Sequence, residues 1–410
     1  MERYDILIRR AALRGRPGVA ADIGVAGGRV AAIADRLDGA AATEIDAGGR
    51  LVTESFVNPH LHLCKVWTAA MIDDAALAAY HGDGMANAAG AIDLAAPVKA
   101  KYDESWITPN ARRAVALAAL HGNLHIRAFA DVDTKARLEG VKALLRVRDE
   151  FRGVVDVQVV AFAQEGIVRE PGAAELMREA MALGADVVGG IPWIERSAAD
   201  VAAHIKTCFD LAVEFDRDVS MLLDDTGDAG SRTLEAMARA TLTRGWQGRA
   251  LAHHCRAMAL YPADYVRSLT VLLREARVAV VSDPHTGPLH ARVRELLAEG
   301  VTVCLGQDDI SDAYYPFGRN SMLEVAFLAA HLLWMTRRTD MERLYDMVTV
   351  DAARAINLRH FGLAAGNRAD LVVLDAPDIL EALREHAPPA HVISNGKLVD
   401  AAKMRGLGTG

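Results

Sequence analysis

Eight short apolar runs, each followed by a stretch whose apolar residues recur at helical spacing, dominate the middle of this chain. They lie at 51–57, 125–131, 155–162, 186–191, 218–223, 249–253, 278–282 and 301–305. Continuous runs of this length read as strands buried on both faces, as in a parallel sheet covered by helices. Between them, in 172–184, Leu176, Met177, Ala180 and Met181 fall on one helical face, with Gly184 placed to end the helix. Eight strand–helix units fit an α/β fold of the (β/α)8, TIM-like kind, whose chemistry sits at the C-terminal strand ends. The competitor is an open doubly wound sheet, but no Gly-x-Gly-x-x-Gly follows the first run.

The chain ends are patterned differently. Tyr4–Ile8, Ala21–Val25 and Arg29–Ile33 are short segments between Gly and Pro punctuation and predict a small antiparallel sheet. Asp370–Asp375 and His391–Val399 repeat the style, with Asn395-Gly396 as a hairpin turn. Together they predict a β-sandwich domain from 1–54 and 361–410, with the barrel spanning 55–360. The Ala-rich segment 68–110, broken at Pro97 and Pro109, reads as a helical excursion over the barrel mouth.

A formal charge of -8 argues against a nucleic-acid partner, which needs a basic surface to neutralise phosphates. The charged start, Met1–Asp5, is unlike a signal peptide, and no apolar stretch is long enough to span a bilayer. A cytoplasmic protein without a membrane partner is the expectation. Cys64, Cys208, Cys255 and Cys304 are isolated, as buried reduced thiols would be.

The strand ends collect titratable residues. His60 and His62 close the first run, and in an extended chain residues i and i+2 face one way, toward one ion. Gln164 and Glu165, Trp193 and Glu195, Asp224 and Asp225, His253 and His254, Asp283 and His285, and Gln307, Asp308 and Asp309 end later runs. Two imidazoles and a carboxylate suit a zinc or iron ion that activates water, with a nearby acid to move protons. Neighbours on a strand point apart, which makes His253 a wall residue if His254 faces the site.

In this order the residues resemble the amidohydrolase superfamily, and the local strings resemble its cytosine deaminase branch. The similar segments are Val57–Leu63, Val160–Ile167, Leu183–Pro192, Ala252–Met258, Leu305–Asp309, Tyr315–Gly318 and the exit Gly362–Leu371. The resemblance implies His60, His62 and Asp308 as metal ligands, and Gln164 as the residue holding a planar heterocycle. It implies further that His254 stabilises the attacking hydroxide, that Asp309 orients the leaving side, and that Trp193 and Tyr314 wall the pocket. No lysine ends the fourth run, so one divalent ion is implied, zinc or iron, with manganese as an alternative; homo-oligomers are a family habit.

Strand 5 departs from the family. Family members carry a histidine ligand there and a glutamate three residues on; Leu222 and Asp225 occupy those positions. Leucine cannot ligate a cation, and aspartate is one methylene shorter. The ion then rests on His60, His62 and Asp308 with His254, Asp225 or water completing its shell, is held weakly, or has been lost. The expected function is hydrolytic deamination of a small cytosine-like, pterin-like or triazine-like ring. The alternatives are hydrolysis of a cyclic amide or N-substituted heterocycle without ammonia release, and ligand binding by a metal-poor protein.

Overall fold

The computed structural model describes residues 2–408. The N-terminal strands are β1 (Glu2–Ala12), β2 (Ala20–Ala26), β3 (Arg29–Ala34) and β4 (Gly39–Asp46). They form a sheet in the order β3-β2-β1-β4. β1 pairs with β4 in parallel, so the sheet is mixed rather than purely antiparallel. The unforeseen strand β4 supplies that edge; its Gly39-Ala40-Ala41-Ala42 start lacks the branched apolar residues that mark a strand.

The run 51–57 is two strands, not one. β5 (Val52–Glu54) pairs antiparallel with the C-terminal strand Leu371–Val373, whereas β6 (Phe56–Leu61) opens the barrel. Between them the Ser55 N–H donates to the Asp370 carbonyl at 2.8 Å, so the chain changes sheets at one residue without losing backbone bonding.

The barrel continues through β7 (Asn123–Asp131), β8 (Asp156–Phe162), β9 (Val187–Gly190), β10 (Asp218–Leu223), β11 (Ala250–His254), β12 (Ala279–Ser282) and β13 (Val303–Leu305). The order is sequential from β6 to β13 and the determined registers are parallel. It closes where Leu61 bridges Asp308: the His62 N–H donates to the Asp308 carbonyl at 2.8 Å and the Asp308 N–H to the His60 carbonyl at 2.9 Å. Closure thus sets the two histidines of the first strand beside the aspartate that follows the last.

Inside, Arg127 plugs the floor, donating to Gln158 Oε1 at 2.8 Å and Ser220 Oγ at 3.0 Å. Two residues further along β7, Phe129 stacks on the His60 ring at 4.6 Å. β14 (Leu371–Val373), β15 (His391–Ser394) and β16 (Lys397–Leu398) complete the second small sheet, with β5 at its edge. Asn395 and Gly396 take positive φ in the expected hairpin turn. Ile6, Ile8, Ile23 and Val25 pack with Val52, Leu371, Val373 and Ile393, so both chain ends share one core.

The excursion after β6 holds short helices at Ala75–His81 and Ala88–Ala95. Tyr80, Met85 and Ile92 pack there with Phe162, Ile191, Leu222 and Tyr314, which places the excursion on the barrel mouth. Pro109 does not break the chain as expected; it lies inside the helix Glu104–Leu120, capped by Asp103. Only about one turn precedes it, so its missing N–H costs the helix a single bond. All four cysteines are buried and free.

Candidate metal and catalytic site

Three candidate ligand atoms converge at the closing seam. His60 Nε2 lies 3.0 Å and His62 Nε2 3.7 Å from Asp308 Oδ1. His60 Nε2 is buried without a partner in hydrogen-bonding geometry, and burial keeps both imidazoles below their ordinary pKa, hence neutral. Behind them the Nδ1 atoms of His60 and His253 meet at 2.5 Å, so His253 is the wall residue expected from strand alternation. Thr286 Oγ1 donates to Asp308 Oδ2 at 2.8 Å, leaving Oδ1 toward the histidines. Burial opposes its charge, but His254 and His60 outweigh that and hold Asp308 well below the usual carboxylate range. Two neutral imidazoles and one ionised carboxylate, all buried, fit a divalent cation with open coordination positions.

A second grouping, His254, Asp283 and Asp308, is less suited. His254 Nδ1 is 2.8 Å from Asp283 Oδ2, and although burial disfavours its charge, Asp283 and Asp225 raise its pKa. The Arg256 guanidinium also stands within 3.5 Å of Asp283 and 3.7 Å of Asp308, so cations already balance these acids.

Asp225 is 4.0 Å from His254 Nε2. Burial would raise its pKa, but Arg256 and His254 overcome that and keep it ionised. Asp309 is the opposite case. Burial, Asp308 and Asp312 push its carboxyl well above the usual range, against the pull of Lys65 Nζ at 3.7 Å. Lys65 donates to Gln164 Oε1 at 3.4 Å and lies over the Tyr314 ring at 4.4 Å.

These side chains border a narrow cavity of about 20 Å³. His62, Gln164, Trp193, Asp225, His254, Asp308, Asp309 and Tyr314 all line it, and Trp193 Nε1 is buried without a partner. Leu222 lines it as well, beside apolar Ile92 and Ile191.

A sequence profile of the amidohydrolase family matches residues 43–400. The chain belongs to this family. It is 29% identical to N-isopropylammelide isopropyl amidohydrolase of Pseudomonas sp. strain ADP over 97% of each chain. It is 25% identical to pterin deaminase of Rhizobium rhizogenes over 85% of this chain and 80% of that one. Among solved structures it is similar to 5-methylcytosine deaminase of Klebsiella pneumoniae liganded with 5-fluorocytosine, with a TM-score of 0.88 and 32% identity, covering 96% of this chain and 97% of that one.

Other strand-end residues of this amidohydrolase are structural. Glu195 accepts from the N–H groups of Ile167, Val168 and Arg169 and pairs with His204, and Asp224 accepts from Thr233, Ser231 and Tyr261. Glu165 pairs with buried Lys99 at 2.7 Å. His285 Nε2 contacts the Gln307 carbonyl at 3.2 Å, and the Gln307 N–H donates to Asn58 Oδ1. Three residues at the site escaped sequence reading: Lys65, Tyr80 and Arg256. The available signals were a lysine three positions after His62 and an arginine two after His254, both in segments that otherwise read as buried.

Proposed function

We propose that the protein is a metal-dependent hydrolytic deaminase of a small nitrogen heterocycle. The observation that carries this reading is the convergence of neutral His60 and His62 with ionised Asp308, of which His62 and Asp308 line a cavity shared with His254, Asp225, Asp309 and Gln164. One zinc or iron ion, or manganese in their place, would be held by His60, His62 and Asp308, and when bound supplies Lewis acidity that makes water nucleophilic near neutral pH.

The chain's own groups do the rest. Ionised Asp225 accepts the proton of the attacking water. His254, whose pKa Asp283 raises against burial, donates toward the negative charge that develops on attack. Asp309, whose pKa burial and its acidic neighbours raise, delivers a proton to the departing nitrogen. The Gln164 carboxamide binds a ring carbonyl or ring N–H group and the Lys65 ammonium donates to a ring carbonyl, while Trp193 and Tyr314 wall the ring.

The test is ammonia release by protein loaded with Zn(II), Fe(II) or Mn(II) against pyrimidines, pterins and amino-triazines. Turnover lost in His60→Ala is expected; silence with every metal contradicts the reading. A second reading, release of an N-alkyl amine, is favoured by the apolar wall of Leu222, Ile92 and Ile191, which offers a surface to an alkyl group. Chromatography of the released amine separates the two.

A further inference from the structure

We propose that Arg256 is the positioning residue that lets the short strand-5 acid, Asp225, work in this site; the inference rests on the deaminase reading above. Arg256 opens the turn Arg256–Leu260 directly after β11, where His254 and Cys255 both take positive φ. Its side chain is buried at 1% exposure. Nη1 donates to Asp225 Oδ1 at 2.6 Å and to the Tyr80 hydroxyl at 2.6 Å, and that hydroxyl donates to Asp225 Oδ2 at 3.0 Å. Both carboxylate oxygens are thereby fixed, with Oδ2 on the His254 side.

Nη2 donates to Thr286 Oγ1, the same hydroxyl that donates to Asp308 Oδ2. One planar fork therefore ties the proposed proton acceptor to the proposed ion ligand, a geometry a lysine ammonium does not reproduce. The loop after β12 leaves room for it: a Cβ on Gly287 would stand 3.0 Å from Arg256 Nε. Asp225 borders the cavity and Arg256 stands behind it, away from the lining. Arg256 thus has no direct contact with a ring in the cavity and acts through Asp225. An aspartate reaches less far than a glutamate, and a rigid partner behind it fixes where that shorter arm ends.

The experiment compares kcat and KM for ammonia release by the metal-loaded parent, Arg256→Met, Arg256→Lys, Asp225→Asn and the Asp225→Asn/Arg256→Met double variant. Arg256→Met is expected to lose about 100-fold in kcat with KM within about 3-fold, because proton transfer and not binding is disturbed. Arg256→Lys recovers part of that loss. Adding Arg256→Met to Asp225→Asn costs less than about 3-fold more, because the two residues act as one unit. A kcat for Arg256→Met within about 3-fold of the parent, or losses that multiply in the double variant, overturns the inference. If Arg256→Met alone does not fold, Arg256→Lys decides, with at least about 10-fold loss in kcat at constant KM expected and parental kcat overturning the inference. A parent silent on every substrate overturns the functional reading and this inference together; an active parent with an indifferent Arg256 overturns only the second.

Discussion

His60 and His253 meet Nδ1 to Nδ1 at 2.5 Å, a distance at which one nitrogen must carry the proton and the other the lone pair. When His60 donates, its Nε2 lone pair is free for a cation; when His253 donates, His60 Nε2–H faces Asp308 Oδ1 instead. The His253 tautomer therefore sets which nitrogen of His60, the proposed ligand, carries the proton. Replacing His253 with Ala is expected to weaken zinc affinity by about 10- to 100-fold, as loss of a ligand's outer partner does. Competition with a chromogenic chelator measures it, and unchanged affinity contradicts this role.

Leu222 is buried against the same cavity as His62 and Asp308. Leu222→Met, similar in volume, is expected to leave zinc affinity unchanged, whereas Leu222→His supplies a further imidazole and raises it by at least about 10-fold. Equal affinities for the two variants in the same chelator competition would show that position 222 does not face the ion.

Asp225→Asn keeps the shape of the side chain and removes the proposed proton acceptor. A loss of about 100- to 10,000-fold in kcat is expected, with zinc content unchanged. Parallel loss of zinc would instead make Asp225 a ligand.

Acid should destabilise the metal-free fold through its buried imidazoles. Burial lowers the pKa of His60, His62, His121, His253, His204 and His285. A group with a depressed folded pKa contributes stability present above its unfolded value, about 6.5, and lost as pH falls below it, because the unfolded chain binds the proton first. His254, with a raised pKa, works in the opposite sense: its contribution is present below about 6.5 and lost as pH rises through its folded value. The six lowered imidazoles outnumber the groups raised in the opposite sense, His254 and the carboxyls of Asp309, Asp312 and Asp351, and give a melting temperature that falls from pH 7 to pH 5. Calorimetry of the chelated protein checks this, and a flat or rising profile contradicts it.

The barrel and its ligand candidates were legible because they rest on local signals. Buried parallel strands leave continuous apolar runs, and polar residues at their ends stand out against them; Val187–Gly190 and Val303–Leu305 lie within the runs read for them. The break at Ser55 was hidden because both halves of 51–57 are buried, one in each sheet, and burial alone does not say against what. Tyr80 and Arg256 were hidden for a different reason. Tyr80 meets Asp225 across 145 residues of sequence and Arg256 meets Tyr80 across 176, contacts that exist only once the excursion lies on the barrel mouth.

Anomalous scattering from a crystal grown with Zn(II) tests the central claim most directly. One peak is expected at about 2.0–2.2 Å from His60 Nε2, His62 Nε2 and Asp308 Oδ1. No peak there, or a peak held by His254 and Asp283 instead, would contradict the account.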